Sequence, residues 1–238
     1  MAGALLEISG LTKRFGGFLA LNQVSIAVKP GERFGLIGPN GSGKTTLINC
    51  VSGSLPADGG RIVFEGRDIT AMPAHRRTRL GIVRSFQIPK PFTSMTVLAN
   101  LGIPLENAAH GRGADGTDAM QILEAIGLAS KAHLRPAGLT QIEMRKLELA
   151  RAMAARPKLL ISDEAMAGLS SAEVDDILAI LFRLSAQGIT IIMIEHIMRA
   201  VMRFSERIVV LDAGERIAEG TPDEIVRNSA VEKAYLGE

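Results

Sequence analysis

The sequence predicts an α/β fold in which a parallel strand-and-helix core carries a partly antiparallel sheet on its N-terminal side and an inserted helical lobe. Three observations carry this. Short β-like runs bounded by Gly and Pro fill the first third, helical spacing replaces them between Pro89 and Pro157, and strand and helix then alternate. The early strands are expected at 5–8, 24–28, 34–37 and 61–64. The lobe shows Ile122, Leu123 and Ile126, then Met144 and Leu147, at helical spacing, with the Gly-rich HGRGADG at 110–116 as a loop. Beyond it come strands at 159–161, 190–194 and 208–211 and a helix at 172–186, the order of a parallel core. The expected division is one domain over 1–238, with 1–87 and 157–238 as core and β subdomain and 88–156 as helical subdomain.

Two helix starts are marked by local chemistry. Ser170 with Glu173 reads as a capping box, followed by the apolar face Val174, Ile177, Leu178 and Leu181. Thr221-Pro222-Asp223-Glu224 repeats the logic with Pro at the first helical position.

Composition limits the function classes. Among 238 residues, 27 basic and 25 acidic side chains leave a net charge of +2, which excludes a basic nucleic-acid arm and an acidic disordered tail. One cysteine, Cys50, excludes a disulfide scaffold or a cysteine-based zinc site, and it reads as a small buried residue. The longest apolar stretches, such as 189–194, fall far short of the ~20 residues that span a bilayer. The start MAGALLEISG lacks the basic region and apolar core of a signal peptide. A mean hydropathy of +0.21 with 4% aromatic residues suggests that a partner covers some surface.

Residues 38–45 read GPNGSGKT, a P-loop pattern preceded by a strand-like RFGLI and followed by a helical TTLINCVSG. Gly38, Gly41 and Gly43 let the backbone turn its N–H groups toward phosphate oxygens, and Lys44 adds a full charge. Thr45 is the expected Mg²⁺ ligand, and the whole segment, Gly38, Pro39, Asn40, Gly41, Ser42, Gly43, Lys44, Thr45 and Thr46, is the expected phosphate cradle. KLLISDE at 158–164 supplies the second acidic site. Asp163 would hold Mg²⁺ at its strand end, and Glu164 is placed to orient or deprotonate an attacking water.

With these motifs the chain resembles the ATP-binding subunit of an ABC transporter over nearly its whole length. The resemblance implies a P-loop NTPase core of RecA-like type, an N-terminal antiparallel β subdomain and an ABC-type helical subdomain, with ATP and Mg²⁺ as cofactors. It implies that Phe15, in LTKRFGG, stacks on adenine, where residue pattern alone equally allows a core Phe. It implies that Gln87, in VRSFQ, touches Mg²⁺ and senses the transmembrane partner, and that His196, in IIMIEHIM, contacts the γ-phosphate. The catalytic set is then Glu164, His196 and Lys44, and the metal set Thr45, Gln87 and Asp163. RSFQIPKPFTSMTVLANL, IVVLDAGERIAEGTPDEI and AYLGE are similar to the ATPases of branched-chain amino acid importers. That implies a peripheral protein on the cytoplasmic face of a bacterial inner membrane. Its partners would be a second ATPase subunit, two permease subunits and, indirectly, an external solute-binding protein, with no nucleic acid.

The family's signature, usually Leu-Ser-Gly-Gly-Gln, aligns with Leu139, Thr140, Gln141, Ile142 and Glu143. Ile142 puts a β-branched side chain where backbone approaches the partner's phosphate. Gln141 and Glu143 fall where the family varies. Ala165 and Ser170 are smaller departures, replacing a common Pro and a common Asp. A silent or weakened site in trans favours a heterodimer with an intact second subunit over a homodimer. The competing readings are a regulatory subunit with little turnover and a non-transport ABC ATPase; the near-neutral charge gives the latter no basic stripe. His75, Arg76, Arg77 and Arg79 read as a solvated face, or as a patch toward anionic lipid or the permease.

Overall fold

The computed structural model describes residues 3–86, 89–108 and 116–236, and two sheets organise them. The antiparallel sheet contains β1 (Leu6–Phe15), β2 (Phe18–Val28), β4 (Gly59–Phe64) and β5 (Arg67–Asp68) in the order β2-β1-β4-β5. The larger sheet contains β3 (Arg33–Ile37), β6 (Ile82–Ser85), β7 (Leu159–Asp163), β8 (Thr190–Ile194), β9 (Arg207–Asp212) and β10 (Glu215–Gly220) in the order β10-β9-β3-β8-β7-β6. Its neighbours run parallel except the β10–β9 pair. Every residue of β7 and β8 is buried, which is why both read as unbroken apolar runs rather than alternating ones.

β1 and β2 run much further than the expected 5–8 and 24–28. Their apolar alternation is broken by register shifts between Ile8 and Leu11, Leu11 and Lys13, and Lys13 and Arg14, and Gln23 has a φ of 50°. The buried face moves from Leu6 and Ile8 to Leu11 and Lys13, so the period-2 pattern fails although the ladder continues to Phe15 opposite Phe18.

Two apolar clusters lie on opposite faces of the larger sheet. One packs α1 (Lys44–Ser52) between the sheets through Leu6, Leu21, Phe34, Leu47, Val51 and Phe64. The other joins α6 (Ser171–Ala186) and α7 (Met198–Phe204) to the lobe helices α3 (Val97–Ala108), α4 (Gly116–Ala125) and α5 (Gln141–Ala154). The two capping boxes form as expected: Ser170 accepts from Glu173 N at the start of α6, and Thr221 from Glu224 N at the start of α8 (Pro222–Val226). Of HGRGADG, residues 110–115 lie outside the described residues, and Gly116 opens α4. Cys50 is 1% exposed, and burial pushes its thiol pKa up. The chain closes with α9 (Ser229–Leu236).

The basic cluster corrects an expectation. His75, Arg76, Arg77 and Arg79 lie on α2 (Ala74–Leu80), yet Arg77 is 2% exposed and is no part of a solvated face. Its guanidinium donates to the carbonyls of Cys50 (2.6 Å), Val51 (2.8 Å), Met72 (2.7 Å) and Thr70 (3.0 Å). Two of these end α1, so a buried cation satisfies the negative end of the helix that follows the P-loop. Burial lowers the Arg77 pKa.

Candidate functional site

The site gathers where β3, β7 and β8 end, the carboxyl edge of a parallel sheet. β3 stops at Ile37, the chain turns through 38–43, and α1 begins at Lys44 with no side-chain cap and no acidic residue in its first turn. The positive end of α1 is therefore left to an external anion. Gly38 has a φ of 149° and Gly43 of 101°; a Cβ would lie 2.0 Å from Leu211 O at Gly38 and 2.7 Å from Ala20 O at Gly43. Lys44 Nζ donates to the carbonyls of Gly38 (2.8 Å) and Pro39 (2.9 Å). Burial lowers its pKa, against the opposing charges of Glu164 and Asp163. Thr45 is exposed and Thr46 half-buried at the start of α1, and Pro39, Asn40 and Gly41 line the outer turn.

Asp163 ends β7 and is 7% exposed. Glu164 follows with a φ of 47°, a costly conformation for a residue with a Cβ, fixed by its N–H donating to Ile194 O at 2.9 Å. The turn aims its carboxylate at His196, whose Nε2 lies 2.8 Å from Glu164 Oε1. The residues expected to carry the reaction are thus brought together from β3, β7 and β8. Phe15 is 50% exposed at the β1–β2 tip with Lys13 Nζ 5.6 Å from its ring centre, which excludes the core-Phe reading. Gln87 lies outside the described residues.

Residue pattern did not reveal several groups around this centre. Glu195 is 3% exposed and accepts from Met166 N at 2.8 Å. Burial raises its pKa from 4.5 to about 7, the Glu164 charge adds to this, and the Met166 and His196 N–H groups and Arg145 oppose it. Arg145 of α5 donates to Ala167 O at 3.2 Å. Glu195 and Arg145 together hold the loop at 164–170, the one the resemblance carries across a dimer interface. Arg84 of β6 donates from Nη2 to Asp163 Oδ2 at 2.5 Å and from Nη1 to Asn49 Oδ1 at 2.6 Å. A charged residue inside the apolar strand IVRS was the available signal. Tyr235 of α9 has its pKa raised by burial, while the Gly38 N–H that its oxygen faces opposes the rise.

The residues on either side of 87–88 are held by α5. Glu148 is buried, which raises its pKa, and it accepts from the Phe86 and Lys90 N–H groups; Arg151 pairs with Glu148 at 2.8 Å and donates to Lys90 O at 3.0 Å. Beside it opens a groove of about 510 Å³ lined by Leu80, Phe86, Phe92, Ile103 and Arg151. Phe86 and Phe92 are 48% and 40% exposed.

The signature segment forms an ordinary helix start. Thr140 caps α5, its Oγ1 accepting from Glu143 N, and the Glu143 carboxylate accepts from Thr140 N at 2.8 Å and from Lys131 Nζ at 2.7 Å. Glu143, expected to be a tolerated variation, is therefore a structural cap. Ile142 is half-buried in helical backbone and packs on the lobe cluster.

The donor set suits a hard cation. The Thr45 hydroxyl and Asp163 carboxylate would offer oxygen ligands, and among the described residues no group of three or more His, Cys, Asp or Glu side chains could cage a metal alone. That matches Mg²⁺, which takes few protein ligands and completes its shell with phosphate and water.

Comparison with known proteins identifies the family. A family model described as ABC transporter matches residues 21–167, and one described as branched-chain amino acid ATP-binding cassette transporter matches 215–238. The high-affinity branched-chain amino acid transport ATP-binding protein BraF of Pseudomonas aeruginosa is 39% identical over 100% of both chains. The probable LivG of Archaeoglobus fulgidus is 40% identical over 98% of this chain and 95% of its own. A nucleotide-free ATP-binding cassette superposes with a TM-score of 0.89 at 35% identity, covering 99% of this chain and 100% of its own. A dimeric cassette in a post-hydrolysis state with ADP and Pi superposes at 0.82 with 25% identity, covering 91% of this chain and 98% of its own. The chain belongs to the ATP-binding subunits of ABC transporters and is similar throughout to those of branched-chain amino acid transport.

Proposed function

We propose that the chain binds and hydrolyses MgATP as one ATPase subunit of an importer for branched-chain amino acids or related small solutes. The observation that carries the reading is the convergence of the uncapped α1 end, Lys44, Asp163 and the Glu164–His196 pair at one sheet edge. The P-loop N–H groups and Lys44 hold the β- and γ-phosphates, with Lys44 giving up its loop carbonyls for them. Phe15 offers its open face to the base. Mg²⁺, held by Thr45 and Asp163 with Gln87, would neutralise charge developing on the phosphates. Glu164 orients the attacking water and accepts its proton, and His196 keeps that carboxylate aimed while facing the γ-phosphate.

The partners follow from three supports. No helix of the described residues is long and apolar enough to cross a membrane, so a transport role needs separate permease subunits at the inner face of the membrane. The groove lined by Phe86 and Phe92 offers them an apolar seat. The second ATPase is a different chain, because Ile142 in both sites of a homodimer would impair both. A regulatory subunit with little turnover is the second reading, favoured by Ile142 alone.

The test is MgATP hydrolysis by the purified chain as a function of its concentration, with Glu164→Gln as blank and nucleotide binding in parallel. ATP binding with turnover only when a second subunit is added supports the heterodimer. Turnover by the chain alone, rising faster than linearly, overturns it, and failure to bind ATP overturns the whole reading.

A further inference from the structure

We propose that Arg84 is the resident counter-cation of Asp163, and that a metal ion taking Asp163 displaces it and so carries the state of the site to the groove. The inference rests on the reading of Asp163 as a Mg²⁺ ligand.

Asp163 and Arg84 are both largely buried, with side chains 10% and 12% exposed. Two Arg84 nitrogens converge on one oxygen of Asp163, Nη2 at 2.5 Å and Nε at 3.2 Å, while Nη1 reaches Asn49 Oδ1 at 2.6 Å. Asn49 stands one turn beyond Thr45 on α1, on the same helix face. One guanidinium therefore ties together the two elements that supply the oxygen ligands. A buried carboxylate needs a counter-charge, and the Arg84 guanidinium supplies it without metal. A divalent ion on the same carboxylate repels that guanidinium at short range in a poorly screened setting. The two cations are competitors.

The displaced group has somewhere to report. Arg84 packs over the Phe86 ring at 5.4 Å, and both line the groove. Phe86 N–H is in turn held by Glu148 of α5. Release of Arg84 from Asp163 thus frees a strand end that leads through Ser85 into Phe86 of the groove wall.

The test measures Mn²⁺ affinity of the ADP-bound full chain by electron paramagnetic resonance of free Mn²⁺, in wild type, Arg84→Gln, Arg84→Lys and Asp163→Asn. Competition predicts tighter Mn²⁺ binding in Arg84→Gln, on the order of ten-fold, and near-wild-type binding in Arg84→Lys, which keeps the charge. Weaker or unchanged binding in Arg84→Gln overturns the proposal, since Arg84 would then only orient Asp163. Unchanged binding in Asp163→Asn instead overturns the ligand reading itself. If Arg84→Gln does not fold, Asn49→Ala, which loosens the far end of the guanidinium, is expected to tighten Mn²⁺ in the same direction, and weaker or unchanged binding there overturns the competition. Amide hydrogen exchange at 82–86 in the ADP-bound wild type should quicken on adding Mg²⁺; exchange insensitive to Mg²⁺ overturns the link to the groove.

Discussion

The P-loop and the signature segment are both glycine-bearing phosphate-binding turns in the resemblance, yet only one of them keeps its glycines here. At Gly38 the requirement lies inside the chain: φ is 149° and a Cβ would fall 2.0 Å from Leu211 O. At Ile142 the backbone is helical and the side chain finds room against the lobe cluster, so nothing within the subunit asks for glycine. Its demand would come only from another chain's nucleotide. Intramolecular sterics are enforced every time the chain folds, whereas an intermolecular requirement lapses once a partner makes the second site dispensable.

The largest effect should come from the chemistry of the chain's own half. Glu164→Gln is expected to lower turnover of the assembled complex by about 10²- to 10⁴-fold with ATP binding retained, measured by steady-state hydrolysis and nucleotide titration. Equal turnover would move the base elsewhere. Gly38→Ala should reduce ATP affinity and also destabilise the fold by about 1–3 kcal/mol, read in a denaturant titration; an unperturbed fold would erase the contrast with Ile142.

The loop at 164–170 gives a pH-dependent test. Glu195 binds its proton more tightly in the folded chain, with its pKa raised from 4.5 to about 7. Its contribution to stability is therefore full below the unfolded value and lost as pH rises through about 7. Wild type should lose about 3 kcal/mol relative to Glu195→Gln between roughly pH 5 and pH 8, followed by parallel denaturant titrations. Parallel pH profiles would remove Glu195 as the anchor of the 164–170 loop. The smallest effect is expected at the signature. Ile142→Gly should cost the isolated chain about 1 kcal/mol in helix propensity while raising turnover of the assembled complex, and unchanged turnover would show that this segment caps no working site.

Legibility in the sequence followed the range of the interactions. The P-loop, Asp163 and Glu164 stood out in the sequence because local backbone geometry fixes their spacing next to apolar strands, whereas His196 was singled out only by the resemblance. The caps at Ser170 and Thr221 were readable because a capping box closes over four residues. Arg77 was misread because its partners at Cys50 and Val51 lie 27 and 26 positions away and only the fold brings them near. Arg84 and Asp163, 79 positions apart, are joined by the pairing of β6 with β7. The bulged β1 was underestimated because register shifts hide its alternation.

The C-terminal helix has a spectroscopic consequence. Tyr235 is the chain's only tyrosine and there is no tryptophan. Emission excited at wavelengths that phenylalanine does not absorb therefore arises from a single phenol, and that phenol faces the N–H of Gly38 at the mouth of the phosphate cradle. The unlabelled subunit carries its own optical probe of the P-loop.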